Sequence, residues 1–402
     1  MRILFVADVS IKNVIGGAER VLHEQTTRLT KNGHEVHVLT RKLPTHFSFK
    51  EEINGVYEHR YEINKDDPLT FLYSTFNNGG KIFNQLIKKN SFDLINFHQP
   101  FSALVVALNP ASKKIKKIYT CHSLAFEEYQ SRNKNTGLEF LLQINFRRFI
   151  EKYLMDKSQK NVVLSQYTKD KLTNLHKIPK DKIVIIPGGV DLIRFSAWAN
   201  RSTARDRFGI NHKKFVLFTV RNLVPRMGLE NLVKAMAIIK EKIPEVYLVI
   251  GGDGPLKETL QSLIRQYGLE SFVRLRGFIK SEDLSLYYQM ADFFILPTIA
   301  LEGFGLVTIE SLSCGTPVLG TPVGGTKEIL EKFDSSFLFK DASLEAIADL
   351  ILKKYNYYKD NPEGRRQLSD QCRKFAEDNY SWELNIQKLE ELFKQCAESA
   401  EK

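Results

Sequence analysis

The chain is poor in the features that would tie it to a bilayer or to an oxidising compartment. No apolar run approaches the roughly 20 residues that a membrane-spanning helix needs. The opening Met1-Arg2-Ile3-Leu4-Phe5-Val6-Ala7-Asp8 meets an acid too early for a secretory leader and reads as a first β-strand. Cysteine is scarce: Cys121, Cys314, Cys372 and Cys396 are scattered without metal-ligand spacing. They exclude a disulfide framework and fit a reducing, cytoplasmic setting. No Asp-x-Asp pair of the kind that holds a catalytic cation occurs, and no G-x-G-x-x-G fingerprint of a dinucleotide site. No signature of a DNA- or RNA-binding module is present, so nucleic acid is not an expected partner. Fixed-period repeats and low-complexity segments are missing as well.

What is present is a chain of 402 residues, enough for two or three domains, with an uneven charge. Residues 1–190 hold 29 Lys and Arg against 18 Asp and Glu; residues 191–402 hold 29 of each. The whole net charge of +11 therefore belongs to the first half. Two readings stand: simple solubility charge, or a surface for an anionic partner such as membrane lipid or an acidic polymer. The segment Phe140–Lys157 sharpens the choice. Its plainer reading is a core helix with Arg147, Arg148 and Lys152 on a basic outer edge; its alternative is a helix resting on an anionic bilayer.

Short apolar runs alternate with helical patterns along both halves. Strands are expected at Arg2–Ala7, Glu35–Thr40, Asp93–Phe97, Lys117–Cys121, Asn161–Leu164 and Lys182–Ile186, then at Phe215–Val220, Val246–Ile250, Phe272–Leu275, Asp292–Leu296 and Val318–Leu319. Helical patterns cover Ala18–Lys31, Gly137–Met155, Leu229–Lys240, Leu256–Tyr267 and the tail from Leu344. Such alternation implies α/β architecture: two doubly wound domains with parallel sheets.

The most informative stretch is Leu301-Glu302-Gly303-Phe304-Gly305-Leu306-Val307-Thr308-Ile309-Glu310. A glycine turn after a strand opens a helix, whose free N–H groups and dipole suit a phosphate. Glu302 and Glu310 flank that turn, and carboxylates accept hydrogen bonds from sugar hydroxyls. A diphosphate between sugars would satisfy all of these groups. Arg221 and Arg226, five residues apart after another strand, can clamp a diphosphate. Gly16 and Gly17 begin a helix after the first strand, with Glu19 read as a structural residue of that helix. His98 and His122 each follow a strand, where open α/β sheets bind ligands. Gly251-Gly252-Asp253-Gly254-Pro255 reads either as a plain tight turn or as part of the site.

The Glu302–Glu310 block, continued by Cys314-Gly315-Thr316-Pro317 and Gly320-Thr321-Pro322, resembles the E-x7-E signature of the GT4 glycosyltransferases, which have the GT-B fold. The Gly16-Gly17-Ala18-Glu19 start and the linker Pro187-Gly188-Gly189-Val190-Asp191, ending at Phe195, resemble the same family. The resemblance spans essentially the whole chain. It implies an acceptor-binding Rossmann-like domain over 1–187 and a nucleotide-sugar-binding one over 188–378, facing it across a cleft. A helix over 379–402 would cross back to the first domain.

By that resemblance the enzyme is a retaining, metal-independent hexosyltransferase without a cofactor. The donor is a nucleotide-diphosphate sugar, UDP-hexose first and GDP-mannose next, and the acceptor a lipid-linked or cell-surface glycan. Its place would be the cytoplasm or the inner face of the cell membrane. His122, Arg221, Arg226 and Glu302 are implied in catalysis. Gly16, Gly17, Gly252, Phe278, Phe304, Gly305, Leu306 and Glu310 are implied in donor binding, and His98 in acceptor binding. The family usually carries a lysine where this chain has Met227; Arg226, one residue earlier, is the expected substitute. A GT-B epimerase or phosphorylase, or a non-catalytic nucleotide-sugar-binding protein, is the alternative.

Overall fold

Residues of the first strand divide themselves between two cores. In the computed structural model, which describes residues 1–12, 14, 16–133, 137–196 and 201–398, Leu4 and Val6 point to one face of a sheet while Ile3, Phe5 and Ala7 point to the other. The first face buries Phe83, Ala103, Val106, Ile150 and Leu154 from three helices. The second buries Leu22 and Leu29 from the Gly17–Lys31 helix and Leu389 and Phe393 from the Trp382–Glu398 helix. A strand buried on both faces has to be apolar throughout, which is why this one reads as a continuous run.

The chain divides into two compact units, Met1–Gly188 with Trp382–Lys402, and Gly189–Ser381. The first carries β1 (Arg2–Val6), β2 (Glu35–Arg41), β3 (Lys50–Ile53), β4 (Val56–Tyr61), β5 (Leu94–Phe97), β6 (Lys116–Cys121), β7 (Lys160–Val163) and β8 (Ile183–Ile185). Their order is β3-β4-β2-β1-β5-β6-β7-β8, parallel except for the β3–β4 hairpin at the edge. The second unit carries β9 (Phe215–Val220), β10 (Val246–Gly251), β11 (Val273–Gly277), β12 (Phe293–Leu296) and β13 (Val318–Gly320), all parallel in the order β11-β10-β9-β12-β13. Each sheet has a switch point where the order reverses, β1/β5 in the first and β9/β12 in the second. Ligands of such sheets bind beyond the carboxyl ends of strands at that point.

Several expectations need correction. β3 and β4 were not foreseen, because β3 is charged and β4 carries Glu58 and Arg60, which prove fully buried and paired with each other. The Gly137–Met155 pattern becomes a helix over Leu138–Lys157, but it is a core helix only in its second half. Ile150, Glu151, Leu154 and Met155 are buried, whereas Leu138, Leu141, Leu142 and Phe149 face solvent. The last helix begins at Trp382 and not at 379. The preceding helix runs on to Tyr380, and Ser381 is extended and bridges Val190. Ile15 of the glycine motif and residues 399–402 lie outside the described residues. All four cysteines are buried, and none of them forms a disulfide. Among the described residues no helix is long and apolar enough to cross a membrane.

The Trp382–Glu398 helix holds the first unit together through Phe393, whose ring lies 6.3 Å from that of Phe5 with no exposure. Phe393→Ala is expected to destabilise that unit by about 3–5 kcal/mol, through lost burial and the cavity left behind. Urea unfolding followed by intrinsic fluorescence checks it.

Candidate functional site

The β9/β12 switch point assembles the charged groups of the second unit. Arg221 follows β9 and Glu302 follows β12, and the two side chains form an ion pair with little exposure. The same guanidinium lies 2.8 Å from the Met227 thioether and 3.4 Å from the Thr298 hydroxyl, which in turn is 3.5 Å from Glu302. A guanidinium is always charged, so burying it requires such partners. Glycines set the backbone on both sides. Gly252 has φ +115°, and a Cβ there would lie 1.8 Å from the Arg221 carbonyl oxygen; Gly324 has φ +57°, and a Cβ there would lie 1.8 Å from that of Glu302. No other residue fits either place.

Met227 occupies the position where a lysine was the family expectation, and it is buried. Arg226 turns its guanidinium to the Leu301 carbonyl at 3.0 Å, while its own carbonyl accepts from Ile299 N–H. It thus braces the loop that carries Glu302. Leu301 in that loop is left-handed at φ +59°, an uncommon state for a branched residue that the surrounding bonds hold in place.

Gly305 caps the Leu306–Ser313 helix, and no side chain takes up its first N–H groups. Glu310, one turn into that helix, is buried and accepts a hydrogen bond of 2.9 Å from the Tyr288 hydroxyl. Phe304 is buried edge-on to Tyr380, so its ring is part of the packing and only its backbone is left to face a ligand. Phe278 stands 69% exposed after β11, beside Arg276, whose Nε donates to the Tyr287 hydroxyl.

The β1/β5 switch point gathers the polar groups of the first unit. Asp8, just after β1, accepts from the backbone N–H groups of Phe101 and Ser102 and pairs with Arg41 at 2.7 Å. Glu58 on β4 accepts from Ser10 Oγ and Ile11 N–H and so fixes the backbone at those two residues. The Glu19 carboxylate folds back against Gly16, in keeping with a structural role. Gly17 opens its helix.

His98 is buried, and its Nδ1 lies 2.9 Å from His122 Nε2. Burial and the neighbouring imidazole hold His98 well below the ordinary histidine range; burial pushes His122 down to about 4. Both rings are therefore neutral at pH 7. The expected acceptor contact His98 has no open face of its own and stands behind His122.

Sequence reasoning missed Thr298, Tyr288, Glu58, Asp8 and Asn96. Asn96 alone carried a signal, a lone amide inside the apolar run Leu94–Phe97. Among the described residues no cluster of side chains could hold a metal ion.

Comparison with known proteins is consistent with this layout. The family model described as glycosyl transferases group 1 matches residues 200–375, and that of glycosyltransferase family 4 matches residues 15–194. A D-inositol 3-phosphate glycosyltransferase of Corynebacterium glutamicum is 27% identical over 94% of this chain and 91% of its own. The sucrose-phosphate synthase of Thermosynechococcus elongatus superimposes with a TM-score of 0.82 at 23% identity, covering 98% of each chain. Anabaena HepE in complex with UDP-glucose does so with a TM-score of 0.76 at 19% identity, over 98% of this chain and all of that one. The last two likenesses bear on the fold, which is GT-B.

Tyr288→Phe removes the hydrogen bond that the Tyr288 hydroxyl gives to the buried Glu310 carboxylate. A loss of about 1–3 kcal/mol in unfolding free energy is expected, read by urea denaturation. The histidines give a second test. Burial holds His59, His122 and His176 at about 4 in the folded chain, against 6.5 when unfolded. The unfolded state then binds more protons between those values. Stability is therefore expected to fall as pH drops from 6.5 towards 4, and denaturation midpoints across that window measure it.

Proposed function

The chain belongs to glycosyltransferase family 4, and from that premise we propose that it is a retaining hexosyltransferase, moving a sugar from a nucleotide-diphosphate donor to a hydroxyl of a glycan or lipid-linked acceptor. The observation that carries the reading is the meeting of Arg221 and Glu302 at the β9/β12 switch point, next to the helix start at Gly305 that no side chain caps. Negative charge builds on the departing diphosphate as the glycosidic bond breaks. Arg221 and the N–H groups at Gly305 and Leu306 stabilise it, which lowers the barrier because these dipoles are already oriented. Glu302 accepts from hydroxyls of the hexose, Glu310 from the ribose, and His122 meets the hexose. The leaving phosphate takes the acceptor's proton, so no metal ion and no separate protein base is required.

UDP-hexose is the preferred donor and GDP-mannose the second choice; the structural relative that holds UDP-glucose supports the first. For the acceptor, the support lies on the first unit. Its Leu138–Lys157 helix turns Leu138, Leu141, Leu142 and Phe149 outward beside exposed Arg148 and Lys152. Apolar and basic side chains on one exposed face suit the surface of an anionic membrane, where a lipid-linked acceptor would be found.

The test is a donor screen with UDP-, GDP- and ADP-sugars, reading thermal stabilisation and sugar release with and without EDTA. One nucleotide is expected to stabilise the protein, with release unaffected by EDTA. Arg221→Ala is expected to lower kcat/KM by roughly 100- to 1,000-fold, the usual cost of one preorganised charge-stabilising group. Wild-type turnover that survives in Arg221→Ala would remove the reading.

A further inference from the structure

Three buried side chains and the half-buried His122 form a line in the first unit that ends in an unpaired nitrogen. The Thr120 hydroxyl lies 3.0 Å from Asn96 Oδ1, Asn96 Nδ2 lies 3.3 Å from His98 Nε2, and His98 Nδ1 lies 2.9 Å from His122 Nε2. Thr120 and Asn96 have no exposure and His98 has 2%. His122 Nδ1, the far end of the line, is buried and has no partner. The rings of His98 and His122 are 5.0 Å apart, and Phe5 packs on His98 at 5.3 Å.

Counting donors decides which way the hydrogens run. Thr120 Oγ1 has no other hydrogen-bond partner among the described residues, so its O–H is satisfied only by donating to Asn96 Oδ1. Turning the amide over would put Nδ2 against that oxygen and strand the hydroxyl hydrogen in a dry interior, at a cost of about 1–3 kcal/mol. With Oδ1 towards Thr120, the amide N–H donates to His98 Nε2. A neutral His98 must then carry its hydrogen on Nδ1 and donate it to His122 Nε2. A neutral His122 in turn carries its hydrogen on Nδ1. Each donor along the line finds an acceptor except the last.

We propose that Thr120, Asn96 and His98 form a relay that locks neutral His122 as the Nδ1–H tautomer, a fixed hydrogen-bond donor to a substrate oxygen and not a proton acceptor. That this oxygen belongs to a sugar hydroxyl rests on the glycosyl-transfer reading; the tautomer itself does not. A buried donor without a partner is rare in a folded protein, and a ligand that completes it accounts for its retention. The reaction consequence is definite. Nδ1 already holds a hydrogen and Nε2 is occupied by His98, so His122 has no lone pair with which to take the acceptor's proton. Thr120, Asn96 and His98 are positioning residues, since none of them reaches the substrate.

The test uses the full chain labelled with ¹⁵N-histidine and long-range ¹H–¹⁵N spectra at pH 7.5, with the His122 signals assigned by their loss in His122→Asn. The expected result is a single Nδ1–H tautomer at His122. Thr120→Val keeps shape but removes the hydroxyl that orients the amide. It is expected to give a mixture of His122 tautomers and about a tenfold lower kcat/KM, the scale of one misdirected hydrogen bond. Thr120→Ser restores the hydroxyl and is expected to restore both. An Nε2–H tautomer at His122 in the wild type, or an unchanged tautomer in Thr120→Val, overturns the relay. A wild type that turns over no nucleotide sugar removes the glycosyl-transfer reading and leaves the relay to the spectra.

Discussion

The second unit's site depends on one buried ion pair, Arg221 with Glu302, and on the two glycines that let it form. Taking a guanidinium and a carboxylate out of water is costly, and their attraction offsets that only when both are held in place and further hydrogen bonded. Gly252 presses on the backbone of one partner and Gly324 on that of the other. Arg226 braces the Glu302 loop from below through the Leu301 carbonyl. Met227 belongs to the same balance. A lysine there would set two cations against one carboxylate near Glu302. The thioether leaves one against one, with sulfur 2.8 Å from the guanidinium as a weak acceptor.

The first unit solves the same problem of polar groups in a dry interior by building lines of them. Glu58 pairs with Arg60 and accepts from Ser10 and Ile11, so a charged pair on β4 fixes the backbone at Ser10 and Ile11. Asp8 caps the Pro100–Leu108 helix while pairing with Arg41. The Glu58–Arg60 pair is fully buried and the Asp8–Arg41 pair nearly so. Burial raises the stakes of every hydrogen bond in them, which rigidifies the loops that a ligand would meet.

These two habits explain what was legible in the sequence. Two doubly wound α/β domains could be read because both-face burial forces strands such as Phe215–Val220 to be apolar, and the GT-B arrangement followed from the family resemblance. Glu302 and Glu310 stood out because they flank a glycine turn at a helix start, and Arg221 because it follows a strand with Arg226 five residues on. The β3–β4 hairpin was hidden because its buried Glu58 and Arg60 look like surface residues, although Asn54-Gly55 between them was a turn signal. Phe304 was read as a ligand contact on its place in the motif, yet its ring is core packing against Tyr380. Backbone contacts leave no trace in side-chain identity, so the nucleotide base cannot be read from Arg276-Gly277-Phe278-Ile279.

The histidines show where geometry adds what a motif cannot. Placement after β5 and β6 puts His122 forward as a catalytic contact to the donor hexose and His98 as a contact on the acceptor side. Burial separates them, since His98 is enclosed and bonded on both nitrogens while His122 keeps one nitrogen unpaired. The distinction bears on the reaction, because the same burial that pushes His122 down to about 4 removes it as a base. A reaction without a base on the first unit needs a proton acceptor that arrives with the substrate. Under the proposed glycosyl transfer that acceptor is the departing phosphate, so the substrate supplies its own base and the protein's share is charge and direction.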